Sequence, residues 1–296
     1  MRAVIIGCGY VGRVLGSILL AGGHEVTGVA RSDSSLRLIR RRGITPQEAD
    51  VTAPETIDAL PDADWVIVAV SSGGGDASAA QAVFQEGLAT VIDSYAARTH
   101  SPDRIVYTSS SSVYGDRDGR WVDETDAPAP QTSKTTVLAR AEDVAIEQTA
   151  ASGIDGTVCR FAGLYGPSRY RLDRYLGDTV TTGYLNLVHR VDAAGAIAHL
   201  LRSGLGRGEV INIVDDAPTD RYHLAITLAQ MAGVRPPDRR LLTDRLADPG
   251  MSEAGRRRLA AQKRVSNAKL RSLGYRLRYP TFRSGYATPI AQRLRS

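Results

Sequence analysis

An α/β fold organised around a doubly wound parallel sheet, with a smaller C-terminal lobe, is what this sequence predicts, on three observations. Gly7-Cys8-Gly9-Tyr10-Val11-Gly12 lies directly behind the apolar run Ala3-Val4-Ile5-Ile6 and directly before Val14-Leu15. Short apolar, β-branched segments then alternate with helical patterns through the first half of the chain. A further apolar segment at 209–214 has the composition of a strand returning late to the same sheet.

The elements follow in order. Residues 2–6, 25–30, 65–70 and 104–108 read as buried parallel strands, and helical patterns lie near 12–21, 34–42, 79–98 and 134–151. Residues 156–160 and 209–214 read as two later strands. The glycines between the first strand and first helix each have a mechanical reason: Gly7 permits the tight turn, Gly9 lets backbone approach a pyrophosphate, and Gly12 lets helix and strand pack closely. The helix N-terminus offers free N–H groups to phosphates. The pattern is thus a Rossmann-type nucleotide site. Residues 1–165 are expected to form the dinucleotide-binding domain, with strand 209–214 returning to it, and 166–296 mainly a substrate-binding lobe. The stretches 115–133 and 236–262 are loop-like, being polar, charged and proline-containing.

At 296 residues and 43% hydrophobic content, the chain can bury a real core. Cys8 and Cys159 lie in or beside apolar segments and read as buried thiols, which makes a reducing cytoplasm the expected location. No apolar run approaches the ~18 residues that span a membrane. Arg2 and the following apolar residues resemble a signal peptide, but their glycines fall at fingerprint positions, so that reading is rejected. The net charge is +5, with basic residues crowding the last third, among them Arg256-Arg257-Arg258, Lys263-Arg264 and Lys269. They read either as a solvated surface or as a pocket for an anionic substrate. No nucleic-acid motif accompanies them, so no nucleic-acid partner is expected. The five histidines show no metal-ligand spacing, so no metal site is expected, and no GxSxG nucleophile motif occurs.

The end of the second strand selects the cofactor. An acid there would bond the ribose hydroxyls of NAD. Here Ala30 is followed by Arg31-Ser32, a cation and a hydroxyl suited to a 2′-phosphate, so NADP is expected over NAD. Ser32-Asp33-Ser34-Ser35 also reads as a helix cap.

The 104–108 strand leads into Tyr107-Thr108-Ser109-Ser110-Ser111-Ser112-Val113-Tyr114-Gly115; then come Ser133-Lys134, Arg160-Phe161-Ala162-Gly163-Leu164-Tyr165-Gly166-Pro167, His189-Arg190-Val191-Asp192 and Asn212. In this order the chain resembles the extended short-chain dehydrogenase/reductase superfamily, the group of sugar-nucleotide epimerases and dehydratases. The resemblance implies further cofactor contacts at Tyr10, Val11, Asp50, Val51, Ala69, Val70 and Phe161. It also implies a catalytic trio of hydroxyl, tyrosine and lysine, the last two spaced YxxxK. Ser110 matches the hydroxyl and Lys134 the lysine, but Pro130 stands four residues earlier, where the tyrosine belongs. Proline has no proton to give. The departure is similar to that of an atypical subgroup labelled YeeZ-like, which keeps the fold and departs from the usual catalytic residues. Tyr114 and Tyr165 are the natural replacement acids, although Tyr-Gly at both places in ordinary members implies structural or substrate-contacting roles. Glu124 and His189 read as structural.

The resemblance also implies a homodimer through the helices near 79–98 and 134–151, whose apolar faces otherwise pack on the sheet. The expected activity is that of an NADP-dependent oxidoreductase or epimerase-like enzyme acting on a small polar or nucleotide-linked substrate. A second reading, favoured by Pro130, is a cofactor-binding sensor or interaction protein without hydride transfer.

Overall fold

The computed structural model describes residues 1–72 and 76–293. Seven strands form the central sheet: β1 (Arg2–Ile6), β2 (Glu25–Ala30), β3 (Thr45–Glu48), β4 (Trp65–Val68), β5 (Arg104–Ser110), β6 (Asp155–Phe161) and β7 (Glu209–Ile213). Their order is β7-β6-β5-β4-β1-β2-β3, and every pairing is parallel. Winding therefore reverses between β1 and β4, and the crevice beyond their C-terminal ends is where such sheets hold ligands.

Both sheet faces are covered. Along β1, Ala3 and Ile5 join one apolar layer with Leu15 and Leu19 of helix Gly12–Ala21 and Ile197 and Leu200 of helix Arg190–Ser203. Val4 and Ile6 join the opposite layer with Leu88, Val91 and Ile92 of helix Gly87–Ala96 and Leu138 and Ala141 of helix Ser133–Ala151. The period-2 alternation of a strand buried on both sides produces this division. A third core belongs to the later part of the chain, where Tyr165, Leu187, Leu224, Leu228, Phe282 and Tyr286 pack together.

Several boundaries depart from expectation. Hydrophobicity does not mark β3, because Thr45-Pro46-Gln47-Glu48 is a half-exposed edge strand, a setting that tolerates an in-strand proline. β4 stops at Val68: Ala69 and Val70 leave the ladder beneath the glycine turn. The helix near 79–98 is interrupted by a π-turn at Ala82–Glu86. The stretch at 236–262, expected as loop, carries strand Asp238–Arg240 and the short helices Leu242–Leu246 and Glu253–Ala260.

Much of the apolar surface of the helices named above for a dimer packs within the chain. Leu88, Val91, Ile92, Tyr95 and Ala141 are fully buried against the sheet, so these residues offer no free surface to a second copy. Both cysteines are free and buried, and burial pushes each thiol up to about 12. Among the described residues no helix is long and apolar enough to cross a membrane.

Two long-range polar clusters lock the sheet to its helices. Arg104 is buried on β5; its Nε donates to Thr157 Oγ1 at 2.9 Å and its terminal nitrogens donate to the carbonyls of Leu200 (2.6 Å) and Leu205 (2.5 Å). It thereby satisfies carbonyls at and just beyond the C-terminus of helix Arg190–Ser203, where a cation also meets the negative end of the helix dipole. Arg160 on β6 forms the second cluster with Glu142 of helix Ser133–Ala151, treated below.

Candidate functional site

A cleft of about 1220 Å³ opens over the C-terminal ends of β1, β4 and β5. At one end lie Gly7, Gly9, Tyr10, Val11 and Gly12; Arg31, Asp50 and Val51 follow on one wall, and Ala69 and Val70 on the other. At the opposite end lie Ser110, Lys134 and Phe161. All of these residues were expected from sequence, and the fold brings them to one surface.

The glycine turn shows what each glycine does. Gly7 has φ +82°, and a Cβ there would stand 2.5 Å from the Ala69 carbonyl oxygen, so backbone conformation and the approach of the chain leaving β4 both require glycine. At Gly12 a Cβ would stand 3.0 Å from Ile5 Cγ2, the contact that lets the helix lie close on β1. Gly9 is different. Its φ is not in the left-handed region, and a Cβ would meet nothing nearer than Gly7 O at 3.7 Å. The protein itself does not need glycine there; the space faces the cleft.

Helix Gly12–Ala21 begins without a side-chain cap, whereas Ser32, Asp76, Thr132, Asp220 and Ser252 cap other helices. Among the described residues the amides of Tyr10 and Val11 donate to no protein acceptor. Uncapped N–H groups, the positive end of the dipole and an open Cβ cradle together fit a pyrophosphate.

Two expected site residues are not brought in. Ser32 caps helix Asp33–Arg40, accepting from Ser35 N at 3.4 Å, while Ser35 and not Ser32 lines the cleft. The alternative reading of that segment as a cap is the one the geometry follows. Tyr114 is fully buried behind the cleft; its hydroxyl donates to Asn212 Oδ1 at 3.0 Å, and the Arg160 guanidinium lies 4.7 Å from its ring centroid. It joins the end of β5 to β7 and has no access to a ligand in the cleft. Burial is also the largest influence raising its pKa. Glu124 accepts from the Asn212 amide at 2.7 Å and belongs to the same lock. Tyr165 is buried in a stack with Tyr286, ring centroids 5.1 Å apart, and His189 accepts from Val191 N at the start of its helix.

The register of helix Ser133–Ala151 bears on the missing phenol. Thr132 is its N-cap, in a reciprocal capping box with Thr135, and Pro130 lies before the helix. A Tyr/Lys pair spaced by four needs one helix face. Here position 130 lies outside the helix, which starts at Ser133 after the Thr132 cap, so 130 and 134 do not share a helix face.

Ser110 is oriented for donation. Its Oγ accepts from Ser112 N at 3.2 Å and from Ser112 Oγ at 2.9 Å, which leaves its own proton free for an oxygen in the cleft. Its neighbour Ser109 donates to Glu142 Oε1 at 2.6 Å, so the Glu142–Arg160 pair anchors the end of β5 from behind.

Of the two readings of the basic C-terminal residues, the cleft lining bears out a pocket position for Arg257, Arg258 and Lys263, while Arg169 and Arg171 were missed. Arg169, Arg171, Arg257, Arg258 and Lys263 all face the cleft. Lys263 is 6% exposed, and its Nζ donates to the Gly115 carbonyl at 2.9 Å. Burial lowers its ammonium to about 8, with Asp116 partly opposing the shift. Arg171 and Ser168 hold φ of +53° and +69°, strained values for these residues and a feature no sequence pattern reveals. On the other wall Arg31 pairs with Asp50 at 3.2 Å. Burial alone would raise the Asp50 carboxyl, but hydrogen bonds from Thr52 and Arg31 outweigh it and hold the group below its ordinary value. Among the described residues no cluster of ligating side chains could hold a metal ion.

Asp215 lies 2% exposed with Oδ2 unpartnered, and burial raises its carboxyl to about 8. Folded, it keeps its proton up to that pH; unfolded, it releases it near 3.8. The folded state therefore binds more protons between those values, and stability falls as pH rises through them, by at most ~1.4 kcal/mol per pH unit. Asp215→Asn retains the Oδ1 that accepts from Ala217 N, so it is expected to flatten this slope and raise Tm at pH 8. Thermal melts of both proteins at pH 5 and pH 8 check it.

Fold and cleft define a dinucleotide-binding protein with the extended short-chain dehydrogenase/reductase architecture. The chain belongs to the NAD dependent epimerase/dehydratase family, whose model matches residues 3–213. It is 32% identical over 289 residues to Protein YeeZ of Escherichia coli (strain K12), covering 94% of this chain and 96% of that protein. Among solved structures, a functionally unknown conserved protein from Silicibacter pomeroyi DSS superposes with TM-score 0.78 at 27% identity over 99% of each chain. UDP-glucose 4-epimerase of Thermus thermophilus, in complex with NAD, shares the fold at TM-score 0.79 and 18% identity, over 100% of this chain and 99% of that one.

Proposed function

We propose that the protein is an NADP-preferring oxidoreductase or epimerase-like enzyme acting on a small polar or nucleotide-linked substrate. The single observation that carries the reading is the open Cβ cradle at Gly9, a glycine the fold does not need, beside an uncapped helix N-terminus. Gly7, Gly9, Tyr10, Val11 and Gly12 would hold the pyrophosphate; Asp50, Val51, Ala69 and Val70 would line the adenosine side, and Phe161 and Lys134 the nicotinamide side. When bound, the nicotinamide supplies hydride acceptance and donation. The chain's own contributions are orientation and polarisation: Ser110 donates its hydroxyl proton to a substrate oxygen, and Lys134 presents an ammonium to the same end of the cleft. Titration with NADPH and NADH by calorimetry tests the reading, and absence of binding by both defeats it.

Arg31 supports the preference for NADP. Its side chain is 58% exposed and, among the described residues, held only by Asp50, and a 2′-phosphate is a stronger partner for a guanidinium than a single carboxylate. Arg31→Ala is expected to weaken NADPH by about ten-fold and leave NADH within about two-fold, a difference of roughly one charge-assisted hydrogen bond. Equal losses for both cofactors would remove Arg31 from the argument.

A second reading, a cofactor sensor without hydride transfer, is favoured by one observation: Pro130, which has no proton to give, stands four residues before Lys134 and outside the helix. Tight NADPH binding with no turnover across carbonyl and nucleotide-sugar panels selects it.

A further inference from the structure

Four arginines gather at the glycine turn, and none of them forms an ion pair among the described residues. Helices Gly12–Ala21 and Arg190–Ser203 both begin beside Tyr10. Each carries an arginine in its first turn, Arg13 and Arg190, where the positive end of the helix dipole disfavours a cation. The first helix has no acid in that turn. The second has Asp192, but its carboxylate is committed to the amides of Arg278 and Tyr279 at 2.6 and 2.9 Å. Arg169 and Arg171 approach from the loop after Tyr165, in which Ser168 and Arg171 hold positive φ. Burial lowers the Arg13 pKa, and Arg42, Arg190 and Arg169 add to the effect as like charges.

Tyr10 is the platform for this group. The Arg169 guanidinium carbon lies 4.1 Å from its ring centroid, and that of Arg190 lies 5.0 Å away. The Tyr10 hydroxyl is buried without a hydrogen-bond partner among the described residues, as is Arg190 Nε. Gly166 packs against that hydroxyl: a Cβ there would stand 3.1 Å from it and 3.0 Å from His189 Nε2. Burial raises the phenol above its ordinary value and outweighs the opposing pull of Arg190, Arg169 and Arg171. The ring is therefore neutral at pH 7 and holds the cations by its face alone. Arg169 lines the cleft together with Gly9, Tyr10 and Gly12, whereas Arg13 and Arg190 do not. Like charges collected without a counter-charge repel one another, and an anion at the turn removes that cost.

We propose that Arg169, laid on the Tyr10 ring, is a side-chain ligand of the dinucleotide pyrophosphate, so that the cofactor is gripped by the backbone of the glycine turn and by a loop from the later part of the chain. Tyr10 and Arg190 are positioning residues: the ring seats the Arg169 guanidinium, and Arg190 adds positive potential without touching the ligand. The proposal rests on the reading of the glycine turn as the cofactor site and adds to it a ligand from outside the turn.

Full-length protein is titrated with NADPH and with NADH at low and at high ionic strength. Both cofactors carry the pyrophosphate, so Arg169→Ala is expected to weaken each by about ten-fold, the value of one charge-assisted hydrogen bond. Arg31→Ala, by contrast, acts on NADPH. The Arg169→Ala loss is expected to shrink at high salt, where the guanidinium is screened in the parent as well. Tyr10→Leu is expected to weaken both cofactors about three-fold, and Tyr10→Phe, which keeps the ring, to bind as the parent does. Arg235→Ala, an exposed control, is expected to have no effect. Arg169 is exposed, so its variant is expected to melt with the parent and carries the test if Tyr10→Leu does not fold. The proposal is overturned if Arg169→Ala binds both cofactors as the parent does. A loss confined to NADPH also overturns it, since that would put Arg169 at the 2′-phosphate. If the parent binds neither cofactor, the cofactor reading itself is defeated and the Arg169 contact falls with it.

Discussion

Glu142→Leu is expected to lower the stability of the folded chain by about 3–5 kcal/mol, the range for breaking one partner of a buried ion pair. Glu142 and Arg160 are each 4% exposed; Arg160 Nη2 donates to Oε2 at 2.6 Å and Nε to both carboxylate oxygens at 3.0–3.1 Å. Burial disfavours the guanidinium charge, but the carboxylate more than compensates and holds its pKa above the ordinary value. Without the carboxylate, Arg160 keeps its charge among Tyr114, β6 and the helix, with Nη1 already unpartnered. Ser109 also loses its acceptor. At roughly 2–4 °C per kcal/mol for chains of 150–250 residues, Tm is expected to fall by about 6–20 °C. The double variant Glu142→Leu/Arg160→Met removes the stranded charge and is expected to recover most of that loss. Thermal denaturation of the three proteins decides the matter. A single variant that melts with the parent would show that the pair contributes nothing net.

Gly9→Val carries the other large effect, and it falls on binding. A Cβ at position 9 would meet nothing nearer than Gly7 O at 3.7 Å, and the methyls it carries extend into the cleft, so Tm is expected to change by no more than about 2 °C. The same methyls stand between backbone amides and phosphate. Losing one or two charge-assisted hydrogen bonds costs about 3 kcal/mol, or roughly 100-fold in the NADPH dissociation constant. Gly7→Ala serves as the contrast. Its φ of +82° and the 2.5 Å approach to Ala69 O make it a folding defect before it is a binding defect. Calorimetry and thermal melts on the two variants separate the roles. Unchanged NADPH affinity in Gly9→Val would dissociate the turn from the cofactor.

Much of this architecture is legible locally. Strands β1, β2, β5 and β6 and the helices Gly12–Ala21 and Ser133–Ala151 follow from apolar runs, helical periodicity and glycine placement, all properties of adjacent residues. β3 escapes the same reading because an edge strand buries little and its residues need not be apolar. At the site, the glycines, Arg31, Asp50, Ser110, Lys134 and Phe161 reach the cleft because the chain order of a doubly wound sheet brings strand ends together. Tyr114 does not, although it sits four residues beyond Ser110, because the turn after β5 sends its hydroxyl back to Asn212, 98 residues further along the chain.

The sequence by itself determined the parallel sheet, the glycine turn and the absence of a tyrosine four residues before Lys134, since each depends on side-chain type and short spacing. Only the tertiary structure decided that Ser32 is consumed as a cap, that the helix carrying Lys134 begins after position 130, and that Lys263 is buried against the Gly115 carbonyl. Those outcomes depend on where a helix begins and on which of two distant segments covers a charge. Desolvation and long-range packing set them, and neither is encoded in any local pattern of residues.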